Sequence, residues 1–421
     1  MSLTAEIAQH YLEIIKLLDG QWLLQGPLTS HSWLRLSATP YYLFFSFFAL
    51  FRFHPLTLNY LWMITSVLLI PLNYFVVKKV FDKKTAMFSS LLLVVSPLFL
   101  GLLKLPSFFN FISPLFYFLL LSIRSKKIWL VFLIISFMSN LHTAAFMLLP
   151  FFIGIFLIIK RFNIKQAIFS FIAFLIPQLS FIINDFFSNF SMTKNLLLWI
   201  PYKLINFLTG KTLGLNSKPV PDETLKNIFD FIKLNFLPVN FHWSLGVLIL
   251  FMIFFYFRKR KTLFIEKVLF LWLIFGLVIL MIHKNPPLHY FMPLYFIPLI
   301  LFSRILTLIN QSLAKSIILL FLIVNIFFIF QKTKLSEEFI PYEKEEKIAR
   351  SIIQNARGRK FSLSRQGPFD NYTDQFKQNY EFILWWLGNR PVKNAKLNYL
   401  IVENKSSIRV FQGKNLIYQI R

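Results

Sequence analysis

The first polar segment of the chain carries acids and a histidine at helical spacing. In "AEIAQHYLEII", Glu6, His10 and Glu13 are one and two turns apart, so a helix would present them on one face. A carboxylate there can serve as general base for an acceptor hydroxyl, with His10 orienting or polarising a partner. The same spacing also suits a solvated amphipathic helix. Glu6 and His10 are therefore the candidate catalytic residues.

A Gly- and Pro-punctuated loop follows, with the sequence "GPLTSHSWLRLSATPYY". Arg35 is a candidate phosphate ligand because a guanidinium binds phosphate in a bidentate manner. The aromatic rings could line a substrate groove and stack on a sugar; this set is His31, Trp33, Tyr41 and Tyr42. The alternative is that the rings anchor the segment at the membrane interface while Arg35 reaches lipid headgroups.

A third set of polar residues lies at the start of a late apolar run, in "HKNPPLHYFMPLY". Lys284 and His289 are candidates to hold a donor phosphate, although Lys284 also lies where a cation would reach the headgroups. His142, in "SNLHTAAF", is expected to be a packed, hydrogen-bonded histidine. No His, Asp and Glu spacing favours a metal, and no Gly-rich nucleotide motif occurs, so no cofactor is expected and a divalent metal is not indicated.

Composition defines the environment in which these residues work. Of 421 residues, 56% are hydrophobic and only 15% are charged, which indicates an integral membrane protein. The chain has no Cys, so disulfides and thiolate chemistry are excluded. The net charge of +27 is assigned to membrane topology and not to nucleic acid, because most basic residues lie between apolar runs.

Ten apolar runs approach the roughly 20 residues that a helix needs to cross a bilayer. They are residues 57–77, 85–103, 107–123, 128–140, 141–159, 166–184, 241–257, 263–282, 288–304 and 315–331. The boundary between the two runs within 128–159 could fall elsewhere in or near "SNLHT". Every second connection between these runs is rich in Lys and Arg. Together these basic connections contain only two acids, Asp82 and Glu266. By the positive-inside rule these connections are cytoplasmic, which makes the other connections external.

This orientation predicts three parts: an external segment over 1–56, a transmembrane domain over 57–331 with an external loop at 185–240, and an external tail over 332–421. Residues 39–54 are expected to form a helix at the outer interface. The tail pattern predicts helices over 342–355 and 374–387 and strands at "FSLS", "NYLIVE", "SIRVFQ" and "NLIYQI", a small α/β appendage. Because nothing would translocate an external 1–56, a transmembrane helix is expected to be missing upstream of Met1.

The order of these pieces resembles the polytopic glycosyltransferases of the GT-C fold, specifically the family 39 type that includes protein mannosyltransferases and aminoarabinose transferases. The matching motifs are "LLQGPLTS" (23–30), "TPYY" (39–42), "KKVFDKK" with "LLLVVSPLFL" (78–100) and "HYFMPLYFIPLILF" (289–302). The resemblance covers about residues 5–305. It implies an all-α polytopic membrane protein with about ten transmembrane helices, to which the external α/β appendage is added.

The resemblance also implies a reaction: transfer of a sugar from a polyprenyl-phosphate donor to an extracytoplasmic acceptor, at the plasma membrane of what is expected to be a bacterium. Counting back from "GPLTS", the family's catalytic acid falls on Glu6, where the family usually has Asp. Glu6 would deprotonate or position the acceptor, and Arg35 and Lys284 would hold the leaving phosphate. Two rival functions stay open at this point, a transporter or flippase of lipid-linked saccharide and a noncatalytic envelope scaffold.

Overall fold

The structure is a computed structural model that describes residues 3–29, 33–104, 106–158, 163–209, 222–237, 244–259, 262–331, 340–367, 374–404 and 407–420. The α-helices, in chain order, are α1 (Ala5–Ile14), α2 (Thr39–Leu50), α3 (Thr57–Val80), α4 (Lys83–Val95), α5 (Pro97–Lys104), α6 (Ile112–Arg124), α7 (Ile128–Leu141), α8 (Leu148–Ile158), α9 (Ile164–Leu175), α10 (Leu179–Phe187), α11 (Ser191–Thr209), α12 (Thr224–Leu234), α13 (Ser244–Lys259), α14 (Phe264–His283), α15 (Ile297–Leu306), α16 (Gln311–Gln331), α17 (Tyr342–Ala356) and α18 (Gln378–Trp386).

Two sheets accompany the helices. Strands β1 (Gln25–Leu28) and β2 (Arg35–Ser37) form an antiparallel hairpin. The strands near the C-terminus are β3 (Phe361–Gln366), β4 (Leu397–Asn404), β5 (Ser407–Gln412) and β6 (Asn415–Ile420). They form one sheet in the order β3-β4-β5-β6, in which β3 and β4 are parallel and the other pairs are antiparallel.

All ten predicted apolar runs contain an α-helix. By length and composition, four helical stretches of the described residues can cross a membrane, namely Thr57–Val80, Ile164–Phe187, Phe264–His283 and Gln311–Phe328. Two bent pairs raise this number to six, because α4 and α5 meet at 53° and the 3₁₀ turn Leu288–Leu294 meets α15 at 52°. Pro97 explains the first bend, since the residue before a proline is forced out of the α conformation and Ser96 has a ψ of 120°. The number of spans found by length is thus lower than the number of apolar runs, because several runs are short or bent.

The chain divides into two compact units. The terminal unit comprises Met1–Leu23, Tyr41–Leu61 and Lys334–Arg421, and the helical unit comprises Leu24–Pro40 and Trp62–Thr333. Much of the predicted external segment 1–56 and of the predicted tail 332–421 belongs to the terminal unit.

The helical unit encloses one large hydrophobic core, which runs from Trp62 to Phe321. At one end, Arg304 joins three helices through two ion pairs. Arg304 Nε is 2.7 Å from Glu266 Oε1, and Arg304 Nη1 is 2.5 Å from Asp82 Oδ2. Asp82 also accepts a hydrogen bond from the Thr85 amide at the start of α4. Both acids of the basic connections are therefore bound to this arginine.

The terminal unit combines the N-terminal helix with the α/β tail. Helix α1 packs on α18. The buried face of α1 includes Ile7, Tyr11 and Ile14, which are spaced about one helical turn apart. The tail elements agree with the sequence prediction to within a few residues: α17 covers 342–356, a 3₁₀ turn and α18 cover 374–386, and all four strands form. The all-α polytopic architecture with a small α/β appendage is confirmed.

Candidate functional site

Helix α1 carries the predicted acid. Thr4 caps this helix through a hydrogen bond from the Ile7 amide to Thr4 Oγ1 at 3.3 Å, and Glu6 lies in the first turn, where the helix dipole favours an acid. Because residues 5–14 are helical, Glu6, His10 and Glu13 do share one side of α1. The cap and the helix together determine where the Glu6 carboxyl points.

Tyr11 fixes α1 within the terminal unit. Its ring is fully buried between Phe48 and Phe382, at centroid distances of 4.4 and 4.8 Å in edge-on geometry. Its hydroxyl accepts the Leu58 amide at 2.8 Å. Sequence reasoning missed Tyr11, because its partners come from distant parts of the chain and leave no local signal.

The two acids of α1 differ in their surroundings. Glu13 is bound to Lys16 through a contact of 2.7 Å and is therefore a neutralised acid. Glu6 is exposed, and the surrounding protein atoms displace enough water from its carboxyl to raise its pKa above the ordinary value. An accessible carboxyl with a raised pKa is a stronger base when deprotonated. Of the two, Glu6 is the better suited to accept a proton.

His10 lies one turn after Glu6 and shares a hydrogen bond of 2.9 Å between its Nδ1 and the hydroxyl of Tyr41. Burial lowers the pKa of His10 to about 4, so the ring is neutral at physiological pH. Tyr41 itself is 1% exposed and cannot stack on a sugar as part of an open groove. The structure thus brings two predicted site residues together, in a buried pair.

Tyr42 holds the chain segment that precedes the hairpin. Its hydroxyl accepts the Leu23 amide at 2.8 Å and donates to the Leu23 carbonyl at 3.0 Å. The tyrosine pair of "TPYY" therefore stabilises the terminal unit, with Tyr41 bound to α1 and Tyr42 to Leu23.

The hairpin β1-β2 in the helical unit explains the motif "GPLTS". A Cβ on Gly26 would lie 2.0 Å from the Ser37 carbonyl oxygen, so only glycine allows the two strands to approach this closely. Ser37, the last residue of β2, and Thr39, the first residue of α2, both donate to the Pro177 carbonyl at 2.6 Å. The Ala38 amide donates to Ser180 Oγ at 2.7 Å. Gly26 of the motif therefore allows the hairpin to form, and the bonds from residues 37–39 fasten the hairpin to the turn between α9 and α10.

Arg35 is the first residue of β2 and is partly exposed. Within the described part of the chain, its guanidinium forms neither an ion pair nor a side-chain hydrogen bond with another residue. Trp33 lies just before β2 and is partly exposed. His31 lies outside the described residues. The hairpin therefore presents a cation whose charge no described acid neutralises.

Lys284 ends α14 in a strained turn. Lys284 has a φ of 59° and Asn285 a φ of 45°, both in the left-handed region that non-glycine residues seldom adopt. The turn is held by the start of α12, since the Asn285 amide donates to Thr224 Oγ1 and the Glu223 amide to Asn285 Oδ1, each at 2.7 Å. Hydrogen bonds from Thr224, with a smaller contribution from the Lys284 charge, lower the pKa of Asp222. Lys284 therefore lies in the field of an acid, in contrast to Arg35.

His289 belongs to a cluster of rings in the helical unit. It stacks on Phe109 at 5.4 Å and meets His142 edge-on at 5.2 Å, and Tyr290 contacts both histidines. His142 Nδ1 accepts the Ala144 amide at 3.1 Å. His142 is thus packed and hydrogen-bonded as expected, and the contact with His289 is one that the sequence did not indicate.

The other acids of the predicted external loops are engaged locally. Asp185 is buried and accepts the amides of Met192 and Thr193 at the start of α11, at 2.8 and 3.1 Å. Asp230 is 2.6 Å from Lys233. Across the ranges that the structure describes, no three His, Asp or Glu residues lie close enough together to hold a metal ion.

The architecture is that of the GT-C glycosyltransferase fold, as the resemblance implied. Two solved structures share it: crystal structures of ArnT from Cupriavidus metallidurans, one in the apo state and one bound to undecaprenyl phosphate. The apo structure superposes with a TM-score of 0.60 and 11% identity over 95% of this chain and 88% of that chain. The bound structure gives a TM-score of 0.59 and 10% identity over 94% and 87%. No protein-family model and no curated sequence matches this chain.

Proposed function

We propose that this chain is a membrane glycosyltransferase that moves a sugar from a polyprenyl-phosphate donor to an acceptor on the extracytoplasmic side. The observation that carries the proposal is the fold similarity to ArnT over nearly the whole of both chains. That one of the ArnT structures holds undecaprenyl phosphate suggests the donor class for this chain.

In this reaction the bond between the sugar C1 and the phosphate oxygen breaks while the acceptor oxygen or nitrogen bonds to C1. The acceptor loses a proton, and we assign its transfer to the Glu6 carboxylate. Three features of Glu6 support this role: its accessibility, its raised pKa and, within the described part of the chain, the lack of an ion pair such as the one between Glu13 and Lys16. His10 is assigned a positioning role, since it is neutral and bound to Tyr41.

The departing polyprenyl phosphate carries negative charge and needs a cation. Arg35 suits this role better than Lys284, because the negative charge of Asp222 offsets part of the positive potential around Lys284, whereas no described acid is paired with Arg35. His289 lies in a ring cluster and is assigned no direct contact with the phosphate in this proposal. Trp33 is the candidate for contact with the donor sugar, because it is a partly exposed ring two residues before Arg35. Tyr41 and Tyr42 are assigned a supporting role through their hydrogen bonds.

The test is sugar transfer by the purified full chain in nanodiscs, supplied with a panel of polyprenyl-phosphate sugars and the extracted envelope lipids and glycans as acceptors. Glu6→Gln is compared with Glu13→Gln, which removes an acid from the same helix. General-base removal should cost about 10²- to 10⁴-fold in rate, while the Glu13 variant should keep rates within about threefold. Arg35→Gln should weaken donor binding about tenfold or more.

Two outcomes would overturn the proposal. If no donor is consumed, but lipid-linked saccharide crosses vesicles that contain the chain, the protein is a flippase. If neither occurs, and Glu6→Gln changes only association with other envelope proteins, it is a scaffold.

A further inference from the structure

An open cavity of about 720 Å³ lies on the helical unit between α6 and α7, at the end that the basic connections mark as cytoplasmic. One end of it is lined by the cations Lys79, Arg124 and Lys127. The remainder is lined by apolar side chains of both helices, among them Leu115, Phe118 and Leu130. The cavity therefore has a basic head and an apolar body.

No acid among the described residues neutralises the three cations. Within the described ranges, none of them forms an ion pair or a side-chain hydrogen bond. The two acids of the basic connections are both bound to Arg304. Like charges brought to one rim repel each other, so an anionic ligand at this rim would relieve that repulsion.

The apolar body has the dimensions of a lipid chain. From Ser125 back to Leu115, and from Lys127 forward to Phe137, each helix advances about 15 Å at about 1.5 Å per residue. The half-thickness of a hydrocarbon core is also about 15 Å. Phe118 is 48% exposed, so about half of its surface is open to a lipid chain.

The neighbouring residues indicate that the rim lies at headgroup level. Trp129, in the first turn of α7, is 47% exposed, and exposed tryptophans concentrate at the membrane interface. Helix α7 begins at Ile128 without a side-chain cap, so the positive end of its dipole adds to the charge of Lys127.

We propose that this cavity binds one anionic glycerophospholipid of the surrounding membrane. The phosphate lies against Lys79, Arg124 and Lys127, and one acyl chain lies along the apolar wall between α6 and α7. Basic pockets between transmembrane helices are known to bind anionic headgroups. This site is independent of the proposed transfer reaction.

The first test measures lipid affinity. The full chain in neutral detergent is titrated with phosphatidylglycerol or phosphatidylcholine, and bound lipid is counted by native mass spectrometry. The triple variant Lys79→Gln, Arg124→Gln and Lys127→Gln is compared with Lys83→Gln, Lys84→Gln and Lys267→Gln, which removes the same charge from exposed residues that do not line the cavity. At roughly a factor of five per cation, the cavity variant should lose about 100-fold in phosphatidylglycerol affinity, against about fivefold or less for the control. Equal losses in both variants would overturn the site, because they would show diffuse surface charge alone.

The second test fills the apolar wall while leaving the charges. Leu130→Trp should release phosphatidylglycerol, whereas Leu320→Trp, at a leucine 59% exposed on α16, should not. Retained binding in Leu130→Trp would refute the acyl-chain part. Thermal stability and gel-filtration profiles check that each variant is folded.

Competition identifies the source of the phosphate. Inorganic phosphate at millimolar concentration should fail to displace phosphatidylglycerol, because it has no chain to occupy the apolar wall. Undecaprenyl phosphate should compete no better than phosphatidylglycerol. A clearly tighter binding of undecaprenyl phosphate to this cavity would overturn the assignment in favour of a polyprenyl lipid.

Discussion

Gly26 offers the sharpest test of how the hairpin is built. In Gly26→Ala the new methyl carbon would lie 2.0 Å from the Ser37 carbonyl oxygen, 2.5 Å from the Ser37 carbonyl carbon and 2.8 Å from the Leu36 oxygen. All three atoms belong to the backbone, so no side-chain rotation can relieve the overlap. Strand β2 has to move by more than 1 Å to restore ordinary contact distances of about 3.3 Å.

The cost follows from what that movement breaks. Overpacking of this kind costs about 1–3 kcal/mol. Displacing β2 also strains the hydrogen bonds from Ser37 to Pro177 and from Ala38 to Ser180, each worth about 1 kcal/mol. A total of about 3–5 kcal/mol is expected, which corresponds to a fall in apparent melting temperature of roughly 3–6 °C for a chain of 421 residues, at about 2.1 cal/mol/K of unfolding entropy per residue.

Gly101→Ala is the matched control, because Gly101 is an exposed residue of α5 with no atom within 4 Å of an added Cβ. Alanine there should stabilise the helix by up to about 1 kcal/mol. The assay is thermal unfolding of both variants in the same detergent, followed by gel filtration. If Gly26→Ala melts within 1 °C of Gly101→Ala, the close strand contact does not exist as described. Because Arg35 begins β2, we also expect Gly26→Ala to weaken donor binding, a result that depends on the proposed function while the melting result does not.

Three further substitutions test charges that are buried or partly buried. The pKa of His10 falls from 6.5 to about 4 on folding, so the protein keeps its full stability above pH 6.5 and loses stability as the pH falls from 6.5 towards 4. His10→Gln should flatten that part of the profile of melting temperature against pH. Glu345 behaves in the opposite sense, because burial raises its pKa well above 4.5, so the wild type should lose stability as the pH rises above 4.5 and Glu345→Gln should not. Glu266→Gln leaves Arg304 with one acid in place of two and should lower stability by about 3 kcal/mol in a denaturation series; a change below 0.5 kcal/mol would contradict the role given to that ion pair.

The α/β tail could be predicted from sequence because its signals are local. Alternating strands are separated by turn residues, such as Gly413, whose φ of 58° suits the tight turn between β5 and β6. The break at His142 was also predictable, because polar residues interrupt the apolar run there. The grouping of α1 with the tail was not, since it depends on long-range contacts such as the one between Tyr11 and Phe382.

The candidate site was predicted only in part, for the same reason. Spacing on a helix identifies Glu6 and His10 as neighbours, and the same spacing offers Lys16 as a partner for Glu13, but nothing local shows that Tyr41 is buried against His10. Likewise, Arg35 and Lys284 look equivalent in sequence. Only tertiary structure shows that Asp222 acts on Lys284 while no described acid is paired with Arg35.

The motif "GPLTS" illustrates how a sequence resemblance can mark support in place of chemistry. Gly26 permits close strand contact, and Ser37 and Thr39 fasten β2 to the Pro177 carbonyl. None of these groups is left to meet a substrate, yet together they fix the strand from which Arg35 projects. On this reasoning, substitution of Gly26 should act on stability first and on donor binding second, whereas substitution of Arg35 should weaken donor binding and leave the melting temperature unchanged.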